Sequence, residues 1–222
     1  MKHVVTFYLT ISFFTGYIVG CTPKNENEGM RRFETFTNES KLDTATFGAG
    51  CFWCVEAIFE QLNGVISVVS GYSGGHVKNP SYKEVCTGAT GHAEVCHIVY
   101  NKEIITFDEL LEVFFLTHDP TSLNKQGNDV GTQYRSAIFY HNNEQYNAAK
   151  EYIEMLDSAK YFERPIVTTL EPFADFYRAE VHHQDYYVLN TNAPYCIYVI
   201  SPKLRKFKTA FKDKIKTSQP LN

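Results

Sequence analysis

Two cysteines, Cys51 and Cys54, flank the only tryptophan of the chain in the string Gly48-Ala49-Gly50-Cys51-Phe52-Trp53-Cys54-Val55-Glu56. This spacing suits three chemistries: a redox dithiol, half of a zinc site, or a nucleophilic thiol at the head of a helix with a second thiol in reach. Zinc needs a second ligand pair, and the available Cys86, Cys96, His92 and His97 do not repeat the C-x-x-C spacing. Phe52 and Trp53 between the cysteines also predict an apolar pocket. A different nucleophile is suggested by Gly71-Tyr72-Ser73-Gly74-Gly75, which has the G-x-S-x-G form of a serine-hydrolase elbow. That elbow requires a helix immediately afterwards, whereas His76-Val77-Lys78-Asn79-Pro80 predicts a loop, so these glycines read as a tight turn. Thiol chemistry is the reading that remains. At a helix N-terminus, free N–H groups and the helix dipole favour a thiolate, so the Cys51 thiol is expected below its ordinary pKa.

The elements that position these residues follow from periodicity. "ATFGAG" reads as a strand and "CFWCVEAIFEQL" as a helix, with Phe52, Val55, Phe59 and Leu62 at helical spacing. Cys51 then stands at a strand-to-helix junction. "GVISVVSGY", "AEVCHIVY", "YRSAIFYH" and "PIVTTLE" read as strands, and "SYKEVC", "NNEQYNAAKEYIEMLDSAK" and the region around "HHQDYYVLN" as helices. "TFDELLEVFFLTH" is a helix opened by a capping box of Thr106 and Glu109. Loops are short except for 118–133. The alternation predicts one α+β domain over 44–208, a two-layer α/β sandwich in which helices pack on a mixed sheet with a ferredoxin-like core.

The chain has 222 residues, 44% hydrophobic and 15% aromatic, enough for one filled core, and its net charge of −4 gives no basic field for nucleic acid. Residues 1–20 differ from the rest: Lys2 and His3 precede a nearly uncharged run that ends Ile18-Val19-Gly20-Cys21. A charged start, an apolar stretch and a small residue before cysteine form a secretory signal of lipobox type. It predicts cleavage before Cys21, lipid attachment to its sulfur, and an extracytoplasmic lipoprotein at the periplasm or cell surface. Residues 21–43, polar and aperiodic, read as a disordered tether. At the other end, 209–222 is a basic tail, read with Lys203 to Lys216 as a solvated, partly helical end.

The strings "GCFWCVEAIFE", "GYSGG…NPSYKEVCTGATGHAEV" and "HDPTSLNKQGNDVGTQYRSAI", in this order, resemble the A-type peptide methionine sulfoxide reductases. The likeness runs from about Phe47 to Leu204. It implies that Cys51 attacks the sulfoxide sulfur and that Glu94 donates a proton to its oxygen, with burial raising the Glu94 pKa. It also implies that Tyr82 and Tyr134 hydrogen-bond that oxygen, that Phe52 and Trp53 enclose the substrate methyl group, and that Asp129 organises the loop and the substrate main chain. His183 falls on a motif of the family and receives no chemical role. The product of attack is a sulfenic acid on Cys51, resolved by Cys54 or by Cys196. Cys86 and Cys96 read as buried structural thiols. The resemblance implies the S epimer as substrate, a thioredoxin-like protein as reductant, no metal or organic cofactor, and a monomer that repairs oxidised proteins. Two readings from other classes stay open, a general thiol-disulfide oxidoreductase using Cys51 and Cys54, and an anchored binding lipoprotein.

Overall fold

Alternating apolar residues set the central strand. In Leu42–Ala49 (β1), Ala45, Phe47 and Ala49 are buried on one face. Thr46 turns to the other, where its hydroxyl meets His97 Nδ1 at 2.9 Å and His141 Nε2 at 3.0 Å. The structure is a computed structural model and describes residues 41–217. The predicted signal, Cys21, the tether up to residue 40 and residues 218–222 lie outside the described residues.

β1 pairs antiparallel with Ala93–Asn101 (β3) and with Ser136–Tyr140 (β6), and Val65–Ser73 (β2) pairs with the far side of β3. Helix Phe52–Phe59 (α1) carries the chain from β1 to β2, and Phe107–Thr117 (α3) follows β3. The order β6-β1-β3-β2 is the split βαβ arrangement of a ferredoxin-like core. Thr169–Pro172 (β7) extends it in parallel beside β6, and Phe176–Arg178 (β8) pairs antiparallel with β2. The result is the expected α+β fold, a six-stranded mixed sheet with helices packed on it.

The main core lies between sheet and helices. The Phe47 ring sits 5.6 Å from Phe59 of α1 and 5.0 Å from Phe114 of α3. As predicted, Thr106 Oγ1 accepts from Glu109 N at 3.2 Å, and Glu109 Oε2 accepts from Thr106 N at 2.9 Å. Helix Asn143–Ser158 (α4) packs beside α3, with Tyr152 stacked on Phe115 at 5.4 Å. The opposite face has a smaller cluster, Ala93, Val95, Ala137 and Phe139, covered by Phe173 and Phe176.

Four local readings change. The stretch 118–133 contains a hairpin, Lys125–Gln126 (β4) with Asp129–Val130 (β5). Of "PIVTTLE" only the last three residues join the sheet, in the strand Thr169–Pro172, because Val167 N bonds Pro120 O instead. Around "HHQDYYVLN" the helix shortens to Tyr186–Leu189 (α5), since Asp185 adopts a left-handed φ of 52°. The basic C-terminal segment is packed: in Ser201–Ala210 (α6) and just after it, Leu204, Phe207 and Phe211 enter the core. Beyond them Lys214 Nζ reaches Glu109 Oε1 at 2.7 Å and Glu112 Oε2 at 3.3 Å, so the basic residues lie on the outer side of an ordered element that continues past residue 208.

Candidate active site

β1 ends at Ala49, and Gly50 then turns the chain with a φ of +88°. A Cβ at Gly50 would lie 2.5 Å from Cβ of Gln126, so glycine is required both by the turn and by the approach of the 125–130 hairpin. Cys51 follows as the N-cap of α1 and is 8% exposed. Glu94, the second residue of β3, faces the same layer as Cys96, as strand alternation predicts, and is 1% exposed. Its Oε2 accepts a hydrogen bond from Phe52 N at 3.0 Å, which sets the carboxyl group at the head of the helix beside the Cys51 sulfur.

Burial pushes Glu94 up to about 8, with Asp129 and Cys54 adding to the rise against the lowering bond from Phe52 N. The carboxyl is therefore neutral around pH 7. The expectation for Cys51 is corrected. Its thiol is raised, not lowered, by burial first and then by the neighbouring Cys54 thiol and Glu94. The first amide of the helix, Phe52 N, is bound to the Glu94 carboxyl.

Tyr82 opens the short helix Tyr82–Val85 (α2), whose N-terminus is fixed by a capping box of Ser81 and Glu84. Glu180 holds it from behind: Oε1 accepts from Tyr82 N at 2.9 Å while Oε2 accepts from the Tyr72 hydroxyl at 2.9 Å. Tyr134 ends a 3-10 turn, Thr132–Tyr134, at the entry to β6 and packs against the cluster of Cys51 and Cys54. Burial raises both phenols above the usual tyrosine range and the Glu94 carboxyl adds to the rise, so both stay protonated and electrostatically linked to Glu94.

Phe52 is fully buried, packed on Tyr72, Tyr82 and His183 with ring centroids 6.0, 6.3 and 5.3 Å away. It forms the floor of the site. Trp53 is half-buried and stacks face to face with Tyr186 at 3.6 Å, with the Tyr195 edge at 5.7 Å. Asp129, in β5, accepts from the Tyr195 hydroxyl at 2.7 Å, which ties the hairpin to the segment carrying Cys196. His183 is buried between Phe52, Trp53 and Tyr82.

Cys196 begins a π-turn, Cys196–Ile200, and joins Cys51, Cys54, Ala57 and Ile200 in one buried cluster edged by Tyr134 and Tyr195. Both sequence candidates for the resolving thiol therefore share the pocket of Cys51. Cys96 is buried with Sγ 3.5 Å from Phe52 O, but Cys86 is exposed, because the C-terminal end of α2 faces outward. Ser73 donates to Asp175 O at 2.7 Å and is followed by a loop over 74–81 rather than directly by a helix, so it lacks the setting of a hydrolase nucleophile. Sequence reasoning missed Tyr195, Tyr186 and Glu180. The adjacency of Tyr195 to Cys196 was the one local signal, and the other two act across more than 95 residues of chain.

Together these groups bring a thiol, a neutral carboxyl and two phenols into one neighbourhood, since Glu94 acts electrostatically on Cys51, Tyr82 and Tyr134 alike, and the set suits attack on an atom whose oxygen must be protonated. Residues 43–215 match the family model described as peptide methionine sulfoxide reductase. The chain is 54% identical over 175 residues to the peptide methionine sulfoxide reductase MsrA of Saccharolobus solfataricus, covering 79% of this chain and 98% of that one. It is 55% identical over 176 residues to MsrA 1 of Rhodopirellula baltica, covering 79% and 91%. Its fold is similar to the crystal structure of Mxr1 from Saccharomyces cerevisiae in reduced form, with a TM-score of 0.65 and 34% identity over 71% of this chain and 90% of that one. Methionine sulfoxide reductase A of Corynebacterium diphtheriae follows at 0.62 and 36%, over 69% and 77%. The matches span nearly every described element that positions the thiol and the carboxyl, and on them the chain belongs to the peptide methionine sulfoxide reductase family and is an oxidoreductase of that activity.

Proposed function

We propose that the enzyme reduces the S epimer of methionine sulfoxide, free or in proteins, through a sulfenic acid on Cys51 and an internal disulfide. The observation that carries this reading is the Glu94 carboxyl: buried, neutral near pH 7 and fixed by Phe52 N beside the attacking sulfur. A sulfoxide sulfur is a weak electrophile until its oxygen is protonated, and Glu94 supplies that proton. Tyr82 and Tyr134 hold the oxygen as it transfers, Phe52 and Trp53 bound the methyl group, and Asp129 positions the substrate main chain. Cys51 gains the oxygen as S–OH and methionine departs with its sulfur reduced. Cys54 then closes the disulfide, with Cys196 as relay, and a thioredoxin-like protein reopens it.

The physiological setting is repair of oxidised proteins outside the cytoplasm, with the chain held at a membrane through a lipid on Cys21 and a polar tether ahead of β1. The Lys2-to-Cys21 signal pattern supports this anchoring. The enzyme acts as a monomer, and no nucleic acid takes part. The test is turnover of each epimer of a methyl sulfoxide by the purified protein with dithiothreitol. Consumption of the S epimer alone is expected. Disulfide exchange without loss of either epimer would identify a general dithiol oxidoreductase, and no thiol-dependent turnover at all a binding protein.

A further inference from the structure

A small void of about 10 Å³ lies beside Cys54. Cys54 is on its wall, Val55, Ile58 and Phe59 make it apolar, and His118 and Lys203 complete it. Burial pushes His118 down to about 4, so it is neutral. Lys203 is then the one charged side chain facing the chamber that Cys54 faces. It is the third residue of α6, half-buried, and has no ion-pair partner among the described residues. Lys203 also borders an outer cleft of about 310 Å³ shared with Asp129 and Tyr195, so it lines both that cleft and the void at Cys54.

We propose that Lys203 is a positioning residue for disulfide closure, its ammonium holding the Cys54 sulfur as the anion that attacks Cys51 once Cys51 carries the oxygen. The inference rests on the reading that Cys54 resolves the sulfenic acid. In that step the Cys54 sulfur forms a bond to the Cys51 sulfur, the Cys51 S–O bond breaks, and hydroxide leaves and is protonated to water. One thiol and one sulfenic acid become one disulfide, with no outside oxidant. In the reduced enzyme Cys54 is lowered first by the hydrogen bond from the Cys51 thiol, which is lost once that sulfur carries the oxygen; what then remains in the lowering direction is Lys203, with the Tyr195 hydroxyl, against burial and the Asp129 carboxylate.

The test separates the two half-reactions in the full chain. Reduced enzyme is mixed with one equivalent of a methyl sulfoxide, methionine or sulfide release is followed, and free thiols and dimedone-trapped sulfenic acid are counted in quenched samples from pH 6 to 10. Without the ammonium less of Cys54 is thiolate near pH 7, and the greater intrinsic nucleophilicity of a more basic thiol offsets only part of that loss. Lys203→Met and Lys203→Gln should therefore slow closure relative to sulfoxide reduction near pH 7. The pH profile of closure should move upward, and the loss should vanish above the new pKa. Lys203→Arg should restore the profile. Lys206→Met, which changes net charge equally but lies off the void, should not shift it. An unshifted closure profile in Lys203→Met and Lys203→Gln, with the Cys51–Cys54 disulfide still found by peptide mapping, would overturn the role of Lys203. Mapping that finds Cys51 joined to Cys196 in the unsubstituted enzyme would instead overturn the reading on which it rests.

Discussion

Replacing Glu94 by glutamine should weaken catalysis and strengthen the fold, in amounts set by the same buried proton. The folded carboxyl titrates at about 8 against an ordinary 4.5, so between these values the native state holds a proton that the unfolded chain has released. Stability then falls as pH rises across that window, by about 1.4 kcal/mol per pH unit, for a total of about 3 kcal/mol lost by pH 7. Glutamine takes the same space, keeps an oxygen for Phe52 N and carries no such cost. Glu94→Gln should match the unsubstituted protein near pH 4.5 and exceed it by about 3 kcal/mol at pH 7, roughly 6–12 °C in Tm for a domain of this size. The sulfoxide step should slow by about 10²–10⁴, and the fall of its rate above pH 8 should disappear. Urea melts at several pH values, paired with single-turnover methionine release, measure both effects. A stability gap that does not widen with pH would show that Glu94 is ionised at neutrality and would refute its assignment as the acid.

Cys54→Ser should release one methionine per enzyme and then stall with a thioredoxin-type reductant, whereas Cys196→Ser should keep cycling more slowly; the reverse pattern in steady-state assays would make Cys196 the resolver. Tyr82→Phe and Tyr134→Phe should each lower the single-turnover rate by about 10², and the double variant by less than the product, because both phenols serve one oxygen. Thr106→Ala, which removes the acceptor for Glu109 N, should cost about 1 kcal/mol in urea melts without changing single-turnover rates.

The sequence revealed the frame better than the electrostatics. Strand alternation put Glu94 and Cys96 on one face, and helical spacing put Cys51 at the head of α1, because both depend on neighbours within a turn or two. The acidity of Cys51 was misread because burial, set by packing against distant segments, comes first and outweighs the helix head, with Cys54 and Glu94 adding to the rise. The 125–130 hairpin was invisible for a similar reason: its strands are two residues long, and Gln126 fixes it through Asp119 N and O, both at 3.1 Å, without any periodic pattern. Tyr195 was one of fifteen tyrosines, and only the folded chain brings it to Asp129 and the thiols.

The rims of the sheet bear on the company such an enzyme keeps. Both outer strands are brief: β7 spans four residues and ends in Pro172, and β8 spans three. Proline donates no N–H, and so short a ladder gives an incoming extended segment little to zip onto. Both rims of the sheet are thereby poor templates for edge-to-edge pairing with extended segments of other chains.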